Sequence, residues 1–159
     1  MQKVTILCTG KLKEKFYLDA VAEYVKRLNR FCKLEIIELP EERLPEDPSP
    51  AQIEALSKEA DAVRAKLPNG CLVIAMCVEG RERSSEELAR YLADSAAQGA
   101  SHIVFLIGSS FGMHESLKRQ AALRLSMSPM TFPHHLLRVM LLEQIYRAYQ
   151  INAGSRYHK

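Results

Sequence analysis

Short apolar runs alternate with segments of helical periodicity along the chain, which predicts an α/β protein. Residues 4–8 and 34–39 are apolar runs of strand length, and the segment 16–28 between them has apolar groups at helical spacing. Residues 51–67 are predicted as a charged amphipathic helix. The continuous apolar run 71–78 predicts a strand that is buried on both faces.

The second half of the chain continues this alternation. Its predicted elements are a helix at 84–98 opened by a Ser84–Glu87 capping box, a buried strand at 102–107, a helix at 113–123, a short strand at 125–127 and a helix from Pro133 to about 151. Four prolines among acids predict a loop at 40–50. Such alternation favours a mostly parallel sheet with helices on both faces.

Three predicted loops follow strands, at residues 78–83, 108–112 and 128–132. Ligands of open α/β sheets bind beyond the carboxyl ends of the strands, so these loops are candidate binding segments. Gly108 and Gly112 would let the backbone approach a ligand, although a plain tight turn explains them equally well. The segment is neither a P-loop nor a full G-x-G-x-x-G motif.

The last predicted helix is apolar around most of its circumference, which indicates burial. In so short a chain, a second subunit would bury such a terminal helix most easily. Arg138 and Arg147 are nine residues apart and face opposite sides, so one can serve its own subunit while the other faces a partner or substrate. Glu143 and Arg147 have the spacing of an ordinary ion pair on a helix surface.

Charge is unevenly distributed, although the net charge is only +3. Residues 1–33 carry eight Lys and Arg against three acids, residues 34–68 carry four against nine, and residues 118–159 carry seven against one. Basic ends around an acidic middle indicate a polyanionic partner, or simply solvated charge. The tail Arg156-Tyr157-His158-Lys159 suits base stacking and phosphate binding, but the residues alone favour disorder at a chain end.

Several other classes of protein find little support. No apolar run is long enough to span a bilayer, the N-terminus does not resemble a signal peptide, and the four cysteines form no C-x-x-C pair, so we expect a cytosolic protein with reduced thiols. His134 and His135 have no Asp or Cys at ligand spacing, which argues against a metal site. The absence of G-x-S-x-G leaves a hydrolase triad unsupported.

Four segments together resemble the RlmH family of SPOUT-class methyltransferases. They are Gly108-x-x-x-Gly112, Leu125-Ser126-Met127-Ser128-Pro129-Met130-Thr131-Phe132-Pro133-His134, Arg138-Val139-x-Leu141-x-Glu143-Gln144-Ile145-Tyr146-Arg147-Ala148 and Gly154-x-x-Tyr157-His158-Lys159. The resemblance covers the whole length and implies one SPOUT domain over residues 1–159, with a trefoil knot in about residues 70–159. It also implies a homodimer packed through the knot. The activity that it implies is methyl transfer from S-adenosylmethionine to N3 of a pseudouridine in 23S ribosomal RNA of the assembled ribosome.

The resemblance assigns site residues by position. The implied cofactor contacts are Met76, Gly108, Met127, Ser128, Pro129, Met130, Thr131 and Phe132. Family members often have Leu in place of Met76, and many have Gly in place of Ser109. The implied catalytic residues are Glu143, Arg147, Tyr157 and His158, and the tail is expected to complete the partner subunit's site.

The implied chemistry is in-line displacement of a methyl group, without a metal or a covalent intermediate. His158 or Glu143 would accept the N3 proton, or nearby cations would stabilise the deprotonated base. Arg147 would position the base or its phosphate, and Tyr157 would stack on or hydrogen-bond to the substrate. The sequence leaves three alternatives open: a related SPOUT enzyme acting on another base or a tRNA, a ribosome-binding factor without activity, and a nucleotide hydrolase that uses the Gly108 loop.

Overall fold

Five strands form one sheet, and helices connect them. The computed structural model of the protein describes residues 1–43 and 49–158. The strands are β1 (Lys3–Thr9), β2 (Lys33–Leu39), β3 (Leu72–Glu82), β4 (His102–Ile107) and β5 (Leu123–Ser126). The helices are α1 (Lys15–Leu28), α2 (Pro50–Lys66), α3 (Ser85–Ala97), α4 (Glu115–Gln120), α5 (His134–Asn152) and a short 3-10 helix at Arg156–His158.

The strand order is β2-β1-β4-β3-β5, and every neighbouring pair is parallel. In β1, Thr9 pairs with Leu39 of β2, and Cys8 pairs with Ile107 of β4. The carboxyl ends of three adjacent strands therefore finish side by side. The predicted parallel α/β sheet is confirmed.

Alternating strand residues build a core on each face of the sheet. Ile6 and Phe105 are fully buried in one cluster, together with residues of α1, α3 and α5. Leu7 and Val104 lie in the other cluster, together with residues of α2 and α4. Helices therefore cover both faces, as the buried strand runs predicted.

A buried arginine joins α5 to the carboxyl edge of the sheet. The Arg138 side chain is 1% exposed, and its Nη1 lies 2.6 Å from Oε2 of Glu38 in β2. Its Nη2 donates to the carbonyl of Gly10 after β1 at 3.2 Å, while the Leu12 N–H donates to the same Glu38 oxygen at 2.8 Å. Burial tends to raise the pKa of Glu38, but these partners outweigh it and lower that pKa. Of the two arginines predicted to face opposite sides of the helix, Arg138 is the one that serves its own chain.

The N-terminus of α3 has the predicted capping box. The Ser84 hydroxyl accepts a hydrogen bond from the Glu87 N–H at 3.1 Å, and the Glu87 carboxylate accepts one from the Ser84 N–H at 2.7 Å. Both hydrogen bonds satisfy amides that have no partner within the helix. The sequence signature thus located this helix start correctly.

The boundaries of three predicted segments around the sheet edge are wrong. Residues 78–82 of the predicted 78–83 loop belong to β3, because after an irregularity the strand resumes pairing with β5, where Arg81 lies opposite Leu125. The helix predicted at 113–123 is confined to Glu115–Gln120. Leu123 instead begins β5, since it pairs with Ile74. The short strand predicted at 125–127 accordingly lies at Leu123–Ser126.

The predicted loop at 40–50 and the tail predicted to be disordered also differ from expectation. Pro50, predicted in the 40–50 loop, is the first residue of α2, where its missing N–H costs no helical hydrogen bond. Residues 44–48 of that loop and Lys159 of the tail lie outside the described residues. The disorder favoured for the tail is wrong for Arg156–His158, which form a 3-10 helix.

Two further predictions concern the cysteines and membrane-spanning helices. Cys8, Cys32, Cys71 and Cys77 are free thiols, as predicted. Within the described part of the chain, no helix has both the length and the apolarity needed to cross a bilayer.

The Glu38–Arg138 pair generates a stability prediction. Glu38→Gln leaves a buried guanidinium without its counter-charge and should lower the free energy of unfolding by about 2–3 kcal/mol near pH 7. Because the Glu38 pKa is lowered in the folded chain, this contribution is present above the ordinary glutamate pKa and fades as the pH falls through the lowered value. Urea denaturation at neutral and acidic pH measures both effects.

The matched control is Glu23→Gln, which removes an exposed i,i+4 ion pair with Arg27. Its effect should stay within about 0.5 kcal/mol. Equal destabilisation by the two variants at neutral pH would show that the buried pair contributes no more than a surface pair.

Candidate functional site

A cavity of about 700 Å³ lies at the carboxyl edge of the sheet. Its walls are residues 76–79 of β3, the segment 107–113 after β4, the segment from Leu125 into the loop after β5, and the first turn of α5. All three predicted binding segments contribute to it: 108–112 and 128–132 supply most of their residues, and 78–83 supplies Val78 and Glu79. The volume is typical of sites for small organic ligands and cofactors.

Most of the predicted cofactor contacts share this cavity. The lining residues among them are Met76, Gly108, Met127, Ser128, Met130, Thr131 and Phe132. Pro129 lies in the same loop but does not line the cavity. The predicted set therefore comes together from three separate segments of the chain.

The Gly108 loop is a tight turn and a cavity wall at once. The Ser109 N–H donates to the Gly112 carbonyl at 3.0 Å, and the Gly112 N–H donates to the Ser109 carbonyl at 2.8 Å. A Cβ on Gly108 would lie 2.4 Å from the Gly112 carbonyl oxygen, so only glycine fits there. Gly112 has a φ of +89°, a region that side chains disfavour. The tight turn is therefore confirmed, and the same loop lines the cavity.

The loop after β5 is held by its serines. The Ser126 hydroxyl donates to the Ser128 carbonyl at 3.0 Å, and the Ser128 hydroxyl accepts from the Met130 N–H at 3.0 Å. The Met130 side chain is 72% exposed. The result is a fixed backbone that offers apolar side chains around the cavity.

His134 and His135 open α5 at the wall of the cavity. Only His134 lines it, and the two rings lie 4.1 Å apart. Burial, reinforced by the neighbouring His135, lowers the pKa of His134, so its ring is neutral near pH 7. Among residues 1–43 and 49–158, no three His, Cys, Asp or Glu side chains are grouped to hold a metal ion.

Three of the four predicted catalytic residues form a second cluster on α5 and the tail. It consists of Glu143, Arg147 and Tyr157 and is called here the tail cluster. The Arg147 Nε and Nη2 donate to one Glu143 oxygen at 2.9 and 2.6 Å, and the Tyr157 hydroxyl donates to the other at 3.1 Å. The Arg147 guanidinium lies 4.8 Å from the centre of the Tyr157 ring. Burial and the Glu143 carboxylate raise the pKa of Tyr157, so its hydroxyl stays protonated.

His158 lies outside this cluster. Its Nε2 is 2.5 Å from Oε1 of Glu86, in the first turn of α3. The Glu86 backbone N–H and His158 lower the pKa of the Glu86 carboxyl. This pairing joins residues 72 positions apart, and in the sequence Glu86 indicates only a helix start.

The tail cluster is separate from the cavity within one chain. None of Glu143, Arg147, Tyr157 and His158 lines the cavity. Glu143 lies nine residues beyond His134, which corresponds to about 13 Å along α5. It instead borders a smaller cavity of about 380 Å³, and residues 125–127 line both cavities.

Comparisons with known proteins assign the family. The family model described as "Predicted SPOUT methyltransferase" matches residues 2–158. The chain belongs to the SPOUT methyltransferase family. It is 46% identical over 158 residues to the "Ribosomal RNA large subunit methyltransferase H" of Streptococcus uberis, and 48% identical over 160 residues to that of Bifidobacterium adolescentis. Each alignment covers 99% of both chains, which confirms the family resemblance of the sequence.

Solved structures of low identity share the fold. A probable methyltransferase from Bordetella pertussis aligns with a TM-score of 0.55 at 14% identity, covering 93% of this chain and 95% of that one. A tRNA (m1G37) methyltransferase from Aquifex aeolicus aligns with a TM-score of 0.54 at 12% identity, covering 92% and 70%. These likenesses support the SPOUT fold alone.

This SPOUT methyltransferase anchors its Gly108 loop through a residue that the sequence did not single out. The Ser109 hydroxyl donates to Oε1 of Glu59 in α2 at 2.9 Å, and the Glu42 N–H donates to Oε2 at 2.9 Å. Glu59 is 6% exposed, and this burial raises its pKa, which the two hydrogen bonds only partly offset. A carboxylate on a charged helix carried no signal of burial. The serine at 109 is therefore part of the loop's attachment to α2.

Ser109→Ala should destabilise the protein by about 1–3 kcal/mol, because it removes a donor from a buried carboxylate. The matched control is Ser110→Ala, whose hydroxyl donates to Glu41 at the exposed side of the same loop. We expect that control to change the free energy of unfolding by about 0.5 kcal/mol or less. Urea denaturation of both variants measures the difference, and equal effects would contradict the anchoring role of Glu59.

Proposed function

We propose that this methyltransferase moves a methyl group from S-adenosylmethionine to N3 of a pseudouridine in 23S ribosomal RNA of the assembled ribosome. The observation that carries the proposal is the cavity at the carboxyl edge, where seven residues implied as cofactor contacts meet. Relatives named for methylation of large-subunit ribosomal RNA align over almost the whole chain. The same relatives support the ribosome as the partner.

The cavity fits the cofactor by size and chemistry. Its volume of about 700 Å³ lies in the range of small-molecule sites, and Met76, Met127 and Phe132 supply apolar contact. Gly108 presents backbone where any side chain would collide with Gly112. The cofactor, when bound, supplies an electrophilic methyl carbon on a sulfonium. The residues of the chain fix its orientation and keep water away.

In this proposal the tail cluster binds the target base and its phosphate. Arg147 offers a cation and Tyr157 an aromatic ring with a hydroxyl, which suit a phosphate and an unpaired base. Glu143 holds both side chains in place through its two oxygens. The N3–H bond must break as the N3–carbon bond forms, so the proton needs an acceptor.

His158 is the better acceptor of that proton, and Glu143 is the weaker one. The Glu143 oxygens already accept three hydrogen bonds, two from Arg147 and one from Tyr157, so both oxygens are occupied. His158 keeps one nitrogen against Glu86, which orients the ring. Nearby cations such as Arg147 also stabilise the deprotonated base.

Two chains form the complete site. The tail cluster and the cavity are separated within one chain, which supports a homodimer in which the tail of one subunit reaches the cavity of its partner. Leu136, Val139 and Met140 of α5 are only partly buried within one chain, so a partner subunit would cover further apolar surface there. In this proposal residues 1–159 are one SPOUT domain with a trefoil knot in about residues 70–159, the part that supplies the cavity walls. No metal takes part.

The test is transfer of a labelled methyl group from S-adenosylmethionine to ribosomes that lack the modification. The ribosomes are prepared once with pseudouridine and once with uridine at the target position. Labelling of the pseudouridine ribosomes alone is expected. Uridine also has an N3–H, so the enzyme must discriminate through the free N1–H that pseudouridine has where uridine has its glycosidic nitrogen. A naked RNA hairpin should be a poor substrate, because the small chain depends on the assembled ribosome for recognition.

Two results would contradict the proposal. Equal labelling of the hairpin would remove the requirement for an assembled ribosome. Absence of labelling on every ribosome, with the cofactor bound normally, would move the search to tRNA and other RNAs.

A further inference from the structure

The connection between β1 and α1 forms a basic and aromatic surface beside the cavity. It comprises residues 10–16, Gly10-Lys11-Leu12-Lys13-Glu14-Lys15-Phe16, and is called here the basic rim. The cofactor and tail sites described above do not use it. Its position beside the cavity, its fixed backbone and its positive charge together indicate a ligand.

The basic rim lies against the first turn of α5. A Cβ built on Gly10 would be 3.4 Å from Nε2 of His134, and His134 is a wall of the cavity. Glu14 Oε2 lies 3.4 Å from Nδ1 of His135. RNA that presents a base to the cavity therefore has the basic rim within reach of its neighbouring nucleotides.

Hydrogen bonds and the burial of Leu12 fix the backbone of the basic rim. The Gly10 N–H donates to the Leu39 carbonyl at 2.8 Å, and the Gly10 carbonyl accepts from Arg138. Leu12 is 5% exposed, and its N–H donates to Glu38. Because Leu12 is buried, the residues on either side of it, Lys11 and Lys13, project from a fixed base and are exposed.

The charge of the basic rim is concentrated on these two lysines. Lys15 pairs with Asp19 at 2.6 Å, and Glu14 pairs with His135. Within residues 1–43 and 49–158, neither Lys11 nor Lys13 takes part in an ion pair. Lys11 lies near enough to Glu38 for its charge to help lower the pKa of that carboxyl, but Glu38 is already paired with Arg138. Two exposed lysines outside the ion pairs of the described residues are complementary to the phosphates of an RNA backbone.

An exposed aromatic ring adjoins the lysines. Phe16 is 66% exposed at the start of α1 and lies 4.3 Å from the Tyr17 ring. Aromatic rings beside cations are the usual platform for unpaired bases. Lysine is depleted in protein–protein interfaces, so this composition favours RNA over a protein partner.

We propose that the basic rim binds ribosomal RNA next to the target nucleotide, with Lys11 and Lys13 on phosphates and Phe16 against a base. This inference rests on the proposed function for the identity of the RNA. It adds a contact surface on the same chain as the cavity, apart from the tail cluster.

The test compares two double charge reversals by their binding to large ribosomal subunits over a series of salt concentrations. Lys11→Glu with Lys13→Glu should weaken binding about 10- to 100-fold and flatten the dependence of log affinity on log salt by roughly 1.5 units. Lys58→Glu with Lys66→Glu is the matched control, because both lysines are exposed on α2 at the opposite face and the change in net charge is the same. We expect the control to bind within about threefold of the wild type.

Phe16→Ala is a second variant that leaves the charge intact. It should weaken binding about tenfold with an unchanged salt dependence. Calorimetry with S-adenosylmethionine should give wild-type affinity for every variant, since none of the changed residues lines the cavity.

The outcomes separate this inference from the proposed function. Equal weakening by the two charge reversals would overturn the inference, as would a matching loss of cofactor affinity in the Lys11 and Lys13 variant. If the wild type binds through the basic rim but transfers no methyl group, the inference stands and the proposed function fails. If the wild type does not bind large subunits at all, both fail.

Discussion

A guanidinium buried against the end of the sheet is the constraint on which the rest of the structure depends. Arg138 reaches from α5 to Glu38 of β2 and to the Gly10 carbonyl after β1. A buried cation is stable only with such partners, so α5 is fixed in register and direction against the carboxyl edge. The preceding loop then lies opposite Gly108, and the cavity forms between them. The same contacts fix the backbone of the basic rim.

The helix α5 also separates the cavity, at its first turn, from the tail cluster further along the helix. Its first turn is a cavity wall, whereas Glu143 and Arg147 lie two to four turns further on and hold Tyr157 of the tail. Within one chain the two groups therefore lie apart on a helix that a buried ion pair fixes. In the proposed dimer, each tail would serve the partner's cavity by symmetry.

Local signals predicted most of the fold. The strands at His102–Ile107 and Lys3–Thr9 and the capping box at Ser84 follow from apolar runs and side-chain chemistry within a few residues. The extension of β3 to Glu82 was missed, because it depends on pairing with β5. Seven of the residues that the resemblance implied as cofactor contacts line one cavity. The contacts of Ser109 with Glu59 and of His158 with Glu86 were not predicted, because they join residues 50 and 72 positions apart. Local patterns carry no record of such contacts.

The most direct test of the two-chain site uses a heterodimer purified through two different tags. One subunit carries Gly108→Val, which forces apart the loop that walls its cavity, and the other carries Tyr157→Ala with His158→Ala, which disables its tail. Each homodimer should be inactive. The heterodimer retains one intact pairing of cavity and tail, so its rate of methyl transfer should be on the order of half the wild-type rate. An inactive heterodimer whose intact cavity still binds S-adenosylmethionine would contradict the account, because the site would then require the cavity and tail of the same chain.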